Sequence, residues 1–245
     1  MILEWPGFFA PASPHMGVIS GSAMQSWWKQ FLVSVAVIGV VALSAQPSMA
    51  HPHVFIDMKT AFRFDDEGRL DALRITWIFD EFYSAYAVDG APKTNGTYDE
   101  KYLAALAEEN LKNLAEWNYF AEVKTGSTPV ETGEALDGLS TWDEEAGRLS
   151  LTFTLPLKVP QAAPAGAPVN VRIFDPSYYI TIDYVSDDPV SLVGGQHQGC
   201  SVAIAVPEVE QVWTSLPESA FTNPDSQLGA NFASTATLSC GPEKS

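Results

Sequence analysis

The sequence predicts an α+β fold: an antiparallel, β-rich single domain over residues 51–206 that carries an inserted helical segment. Three observations predict it. A strand, turn and strand open the region, two helical stripes follow, and a series of short strand-like runs fills the rest, an order that suits helices set on an antiparallel sheet.

The first strand is legible from alternation. Between His53 and Phe64, residues Val54, Ile56, Met58, Phe62 and Phe64 fall on one face, and His53, Asp57, Lys59 and Arg63 on the other. That is the two-residue period of a half-buried strand. Asp65-Asp66-Glu67-Gly68 reads as a turn, and Arg69 to Phe79 as the returning strand of a hairpin. The period then changes. Phe79, Tyr83 and Tyr86 have helical spacing over Asp80 to Ala87, and Tyr102, Leu103, Leu106, Leu111 and Leu114 form a helical stripe between Tyr98 and Trp117. Both stripes read as core contacts. Gly, Pro and Asn between Asp89 and Asp99 mark a loop.

After Trp117 the β-like runs are Tyr119 to Lys124, Leu136 to Trp142, Arg148 to Leu157, Val169 to Phe174, Tyr179 to Val185 and Ser201 to Val206. Turn residues separate them, notably Glu145-Ala146-Gly147 and the Pro/Ala/Gly stretch from Pro160 to Pro168. From Pro207 the periodicity fades, and residues 207–245 read as an irregular tail rich in small polar residues.

Residues 1–50 read as a secretory signal peptide with an upstream extension. Lys29 supplies a basic start, Phe31 to Ala45 an apolar run, and Ser48-Met49-Ala50 a small-x-small cleavage site. Met24 or Met16 would begin a shorter leader. An uncleaved anchor needs about 20 apolar residues, more than this run provides. Cleavage is therefore expected after Ala50, with no membrane insertion of the mature chain.

Charge narrows the partners. The chain holds 13 basic and 30 acidic residues, a net charge of −17. Only Lys29 and Glu4 fall in the leader, so the mature part keeps that charge. An acidic chain with no Lys/Arg cluster is a poor binder of polyanions, which excludes nucleic acid and anionic membrane surfaces. Cys200 and Cys240 are the two cysteines, and with no Cys-x-x-Cys the pair reads as a disulfide of an exported protein that ties the tail down.

The chemistry concentrates at the new N-terminus, His51-Pro52-His53. The α-amine and the His51 and His53 rings offer three nitrogen donors, and neutral imidazoles suit copper, nickel, zinc and iron. Pro52 has no N–H to lose, which blocks the square-planar amino-terminal mode that uses deprotonated backbone nitrogens. A brace remains, in which the amine and His51 chelate the metal and His53 adds a third donor. Asp57 shares the strand face but lies about 13 Å from His53 at 3.3 Å per residue, so a carboxylate from elsewhere is the better closing ligand. The alternative is two solvated histidines at a strand start.

Four blocks in order resemble the DUF1007 family: His51-Pro52-His53-Val54-Phe55-Ile56-Asp57, Thr76 to Ala85 (TWIFDEFYSA), Phe174-Asp175-Pro176-Ser177-Tyr178-Tyr179, and Asp187 to Gly194 (DDPVSLVG). The resemblance spans His51 to about Val206. It implies a periplasmic component of an ABC-type transport system, in some members beside or fused to nickel/cobalt-type transporters. It implies no established enzymatic activity.

The same resemblance points to His51, His53, Asp57, Asp80 and Asp175 as the polar members of its blocks, of which His51, His53, Asp80 and Asp175 are the metal-site candidates and Asp57 an outer partner; His197 lies outside these blocks, on a loop that could close over a bound metal. Carboxylates can ligate the ion or orient an imidazole. Asp80 reads equally as a helix N-cap and Asp175 as the start of a turn. Asp57 leans towards a structural role, and His197 reads more readily as a solvated loop histidine. Many relatives carry an EF-hand-like loop, but Asp89 to Gly96 here puts Ala and Lys at ligand positions, which speaks against calcium.

No nucleophilic triad, phosphate-cradling loop or His-Glu-x-x-His helix appears. The leading expectation is a metal-binding accessory or solute-binding component that hands zinc, nickel, cobalt or copper to a membrane metal transporter or ABC permease. A copper oxidoreductase built on a histidine brace and a metal-free module docking on the transporter are the alternatives.

Overall fold

A computed structural model describes residues 52–163, 167–222 and 227–241. The leader and His51 lie outside the described residues.

The opening hairpin forms as expected. Strand β1 (Val54–Phe64) pairs antiparallel with β2 (Leu70–Phe79), in a register running from Ile56 opposite Phe79 to Phe64 opposite Leu70. Its inward residues Ile56, Met58, Phe62 and Phe64 are buried. Asp65 ties the turn, its carboxylate accepting from the amides of Glu67 and Arg69. Gly68 takes the left-handed conformation there at φ +74°, one that a residue without Cβ adopts freely.

The helical segment stands between this hairpin and the next strands. Helix α1 (Glu81–Ala87) is capped by Asp80, and α2 (Glu100–Ala115) by Asp99, which accepts from the amides of Lys101 and Tyr102. Leu103 and Ala107 bury the inner face of α2. The loop between the helices contains a short hairpin of β3 (Lys93–Thr94) and β4 (Thr97–Tyr98). Asn95 and Gly96 both have positive φ at its tip, the requirement of a two-residue turn matched to strand twist.

The remaining strands are β5 (Ala121–Thr125), β6 (Thr128–Pro129), β7 (Leu136–Asp143), β8 (Arg148–Gln161), β9 (Val169–Ile173), β10 (Ile180–Tyr184), β11 (Val190–Gly194), β12 (Cys200–Ala205) and β13 (Thr235–Cys240). They complete two sheets. The first has the order β10-β1-β2-β8-β7, with β11 also lying along β1, and the second the order β12-β13-β9-β5-β6. Trp77 of the first sheet stacks on Phe120 and meets Phe153 edge-on, in a core that draws buried residues from both sheets. Each large apolar side chain so buried contributes about 1.5 to 3 kcal/mol.

The β-rich α+β class holds, but the first sheet is mixed and not antiparallel throughout. β10 and β11 both run parallel to β1, the first along Val54 to Met58 and the second along Thr60 to Phe64. An alternating strand looks the same whichever way its neighbour runs, and parallel neighbours require a long crossover. Here residues 65–179 lie between β1 and β10, and residues 65–189 between β1 and β11.

The tail also differs from expectation. Within 207–241 the chain forms α3 (Val209–Ser215), α4 (Ser219–Thr222), a 3-10 turn (Leu228–Asn231) and β13, which lies between β12 and β9 in the second sheet. The small polar residues of β13 hide its state. It is a strand because Ala236 and Leu238 fill the core, Thr237 bonds Asn170, and neighbours pair on both sides. The disulfide Cys200–Cys240 forms as expected, joining directly opposed residues of β12 and β13. No helix among the described residues is long and apolar enough to cross a membrane.

Candidate functional site

The start of β1 is held on both sides. On one side the His53 amide donates to the Tyr179 carbonyl at 2.9 Å, and the two rings lie 4.7 Å apart. The His53 side chain is exposed, while Pro52 is half-buried. On the other side Phe55 and Asp80 exchange two bonds: the Asp80 amide donates to the Phe55 carbonyl, and the Phe55 amide donates to Asp80 Oδ2, each at 2.9 Å. Asp80 Oδ1 accepts from the Tyr83 amide and caps α1. One carboxylate thus joins the first turn of a helix to the first turn-in of a strand.

Asp175 does similar work across the sheet. It is buried, at 6% exposure. Its Oδ1 accepts from the Ser177 amide and its Oδ2 from the Ile180 amide, both at 2.9 Å, and the Ser177 hydroxyl reaches both oxygens at 2.8 Å. Ile180 lies opposite Val54, so this turn sets the register of β10 on β1. The C-terminal segment packs on the same turn. Tyr178 stacks on Phe232 at 4.2 Å, Trp213 lies 4.8 Å from Phe232, and a Cβ at Gly229 would stand 1.9 Å from the Asp175 carbonyl.

The two carboxylates are therefore not equivalent. A carboxylate has about four lone-pair sites. Asp175 is buried and takes three donors, the hydroxyl of Ser177 lying between its two oxygens, whereas half-buried Asp80 has one bond on each oxygen. Asp80 keeps capacity for another partner.

Asp57 pairs with Arg148 at 2.7 Å. The same guanidinium donates to the carbonyls of Phe79 and Ile78, at 2.6 and 2.9 Å. An exposed ion pair contributes little by itself. This one works by geometry, clamping the end of β2 between β1 and β8. Across the parallel pair Asp57 faces Asp183. The Asp183 carboxyl is held above the ordinary carboxylate range, mainly because its neighbours desolvate it and further by the charge of Asp57, although its outer edge is open to solvent.

His53, Asp57, Asp80 and Asp175 thus gather around the first half of β1. His197 does not join them: its ring lies 5.6 Å from Phe64, and Nδ1 is 2.9 Å from the Gly195 carbonyl. That is the far end of β1, roughly 35 Å from His53 along an extended strand. Among the described residues no group of three His, Cys, Asp or Glu side chains is placed to hold an ion. At the start of β1 the described residues place one exposed imidazole, His53, and the Asp80 carboxylate with lone pairs to spare.

Tyr179, Asp183 and Arg148 are the neighbours that sequence reasoning missed. Tyr179 stands inside a recognised block, and period two from Tyr179 would have marked Asp183. No local pattern brings Arg148 to Asp57, 91 residues away.

No curated protein matches the chain. The model of one family, described as a protein of unknown function, matches residues 36–240, from within the apolar run to the second cysteine; with most of its length matched, this chain belongs to the DUF1007 family.

Proposed function

We propose that this protein is an exported, periplasmic metal-binding accessory of a transition-metal transport system, which presents an ion at its processed N-terminus. One observation carries the reading: the exposed His53 imidazole stands at the first residues of a strand pinned on both sides, by Tyr179 and by Asp80. After cleavage behind Ala50, the α-amine and His51 lie two residues from that fixed point. A ligand set tethered to a rigid element loses less entropy on binding than one on a free tail.

The roles divide accordingly. His51, the α-amine and His53 supply nitrogens, and Asp80 is the carboxylate able to join or orient them. Asp175, Asp57 and Arg148 hold the strand ends. A site at the chain terminus, open to solvent, suits exchange with a membrane metal transporter or ABC permease. Copper binds most nitrogen sites tightest, so affinity in the test tube does not name the metal.

The test is metal analysis of the protein purified from its native periplasm, with His51→Ala, His53→Ala and a form retaining one residue before His51. The reading expects a stoichiometric divalent ion, lost or greatly weakened in all three. Unchanged metal content or affinity in all three overturns it.

A second reading has its own support. Phe55 and Tyr179 are about half exposed beside His53, and a copper oxidoreductase with a histidine brace needs such an aromatic surface around its open position. Reductant-driven oxygen consumption by the copper-loaded protein separates it from the first reading.

A further inference from the structure

Helix α1 has one face that its fold uses and one that it does not. On the inner face Tyr83 lies 4.6 Å from Phe79, and buried Ser84 donates to the Phe79 carbonyl while accepting from the Leu149 amide. On the outer face Phe82 and Tyr86 are 89% and 80% exposed, the two most exposed large apolar side chains among the described residues. Four residues apart, they stand one above the other on the helix surface. Neither ring contacts another ring among the described residues.

The rim of this face is acidic. Glu81 and Asp89 are exposed and in no ion pair among the described residues. With the chain at −17, an anionic membrane surface is repelled. A second copy docked by a two-fold axis would set Glu81 and Asp89 against their own likes, since such an interface opposes the same patch to itself. Exposed aromatic anchors ringed by charge match the central hot spots and polar rim of a protein interface.

We propose that the outer face of α1 is a docking surface for a protein whose contact area has an apolar centre, to receive Phe82 and Tyr86, and a rim of lysine or arginine, to meet Glu81 and Asp89. The surface is coupled to the His53 edge through Asp80, which both caps α1 and bonds Phe55. That the partner is the extracytoplasmic part of the transporter rests on the reading proposed above; the face itself does not.

A photo-crosslinking amino acid at position 82, in cells of the native host, tests this. The expected result is a cross-link to one other protein, at a peptide bearing Lys or Arg that mass spectrometry identifies; that this protein is a membrane protein is the part that rests on the transport reading. Glu81→Lys with Asp89→Lys should lower the yield about tenfold, as reversing rim charges does to association. Reversing the basic residues of the identified peptide should restore it. Both substitutions are on exposed positions, and unchanged thermal unfolding checks the fold. No cross-link, a cross-link only to lipid, to a second copy or within the chain, or a yield indifferent to charge reversal overturns the proposal. Metal content is measured on the wild-type and the charge-reversed protein: its retention in the latter with loss of cross-linking supports docking separately from the metal reading, and absence of metal from the wild-type protein with intact cross-linking overturns only the metal reading.

Discussion

Asp175 helps set the placement of the first strand through the turn that leads into β10. Its two oxygens satisfy the amides of Ser177 and Ile180 and the Ser177 hydroxyl in a buried setting. Asp175→Asn turns one acceptor into a donor and leaves a buried amide without its partner, at a cost of about 1 to 3 kcal/mol. The urea unfolding midpoint should fall accordingly, and an unchanged midpoint would show that the turn stands without the carboxylate. Asp183 predicts the opposite effect at neutral pH. Its carboxyl binds a proton more tightly in the folded chain than in the unfolded one, because of desolvation and the nearby Asp57 charge. Unfolding therefore releases a proton between the ordinary carboxylate range and the raised folded value, so stability falls as pH rises through that interval. Asp183→Asn should raise the unfolding midpoint at neutral pH and lose that advantage in acid, where wild-type Asp183 is already neutral. A variant that is no more stable at neutral pH, or equally favoured at both, contradicts this account.

At the scale of elements, the disulfide and the strand it closes act together. Cys200 and Cys240 face each other across β12 and β13, and the bridge encloses a separation of 40 residues. Closing a loop of that size contributes about 3 to 4 kcal/mol through the unfolded chain. Replacing both cysteines by serine should lower stability by that amount, read from denaturant midpoints, and reductant should abolish the difference between the two proteins. β13 shows why this strand escapes detection. Its sequence Thr-Ala-Thr-Leu-Ser-Cys has little apolar surface, and its place between β9 and β12 supplies what propensity does not. β1 is the opposite case, since five apolar residues at period two declare both its state and its buried face.

For the whole molecule, the consequence is that the chain does not end functionally at Val206. A protein truncated there loses β13 and the disulfide, and it exposes the flank of β9 along Val169 to Arg172. It also loses Phe232 and Gly229, which pack on the turn made by Asp175. The truncated chain should fail to fold cooperatively, shown by loss of a sigmoidal thermal transition and by rapid proteolysis; a native-like transition would make the C-terminal segment dispensable. The family match to residue 240 agrees with the longer boundary.

The sequence by itself determined what is local or compositional: the opening hairpin, the stripe of α2, the acidic charge, and the pairing of the only two cysteines. Each follows from residues a few positions apart, or from a count that leaves one answer. The tertiary structure decided what depends on neighbours distant in the chain. It placed β10 and β11 parallel along β1, set β13 inside the second sheet, and brought Arg148 to Asp57. It also separated two aspartates that the sequence treats alike, burying Asp175 among three donors and leaving Asp80 half-buried with two. The physical reason is the same throughout: side-chain periodicity reports which face of a strand is buried, whereas hydrogen bonds across a sheet report which strand lies beside it.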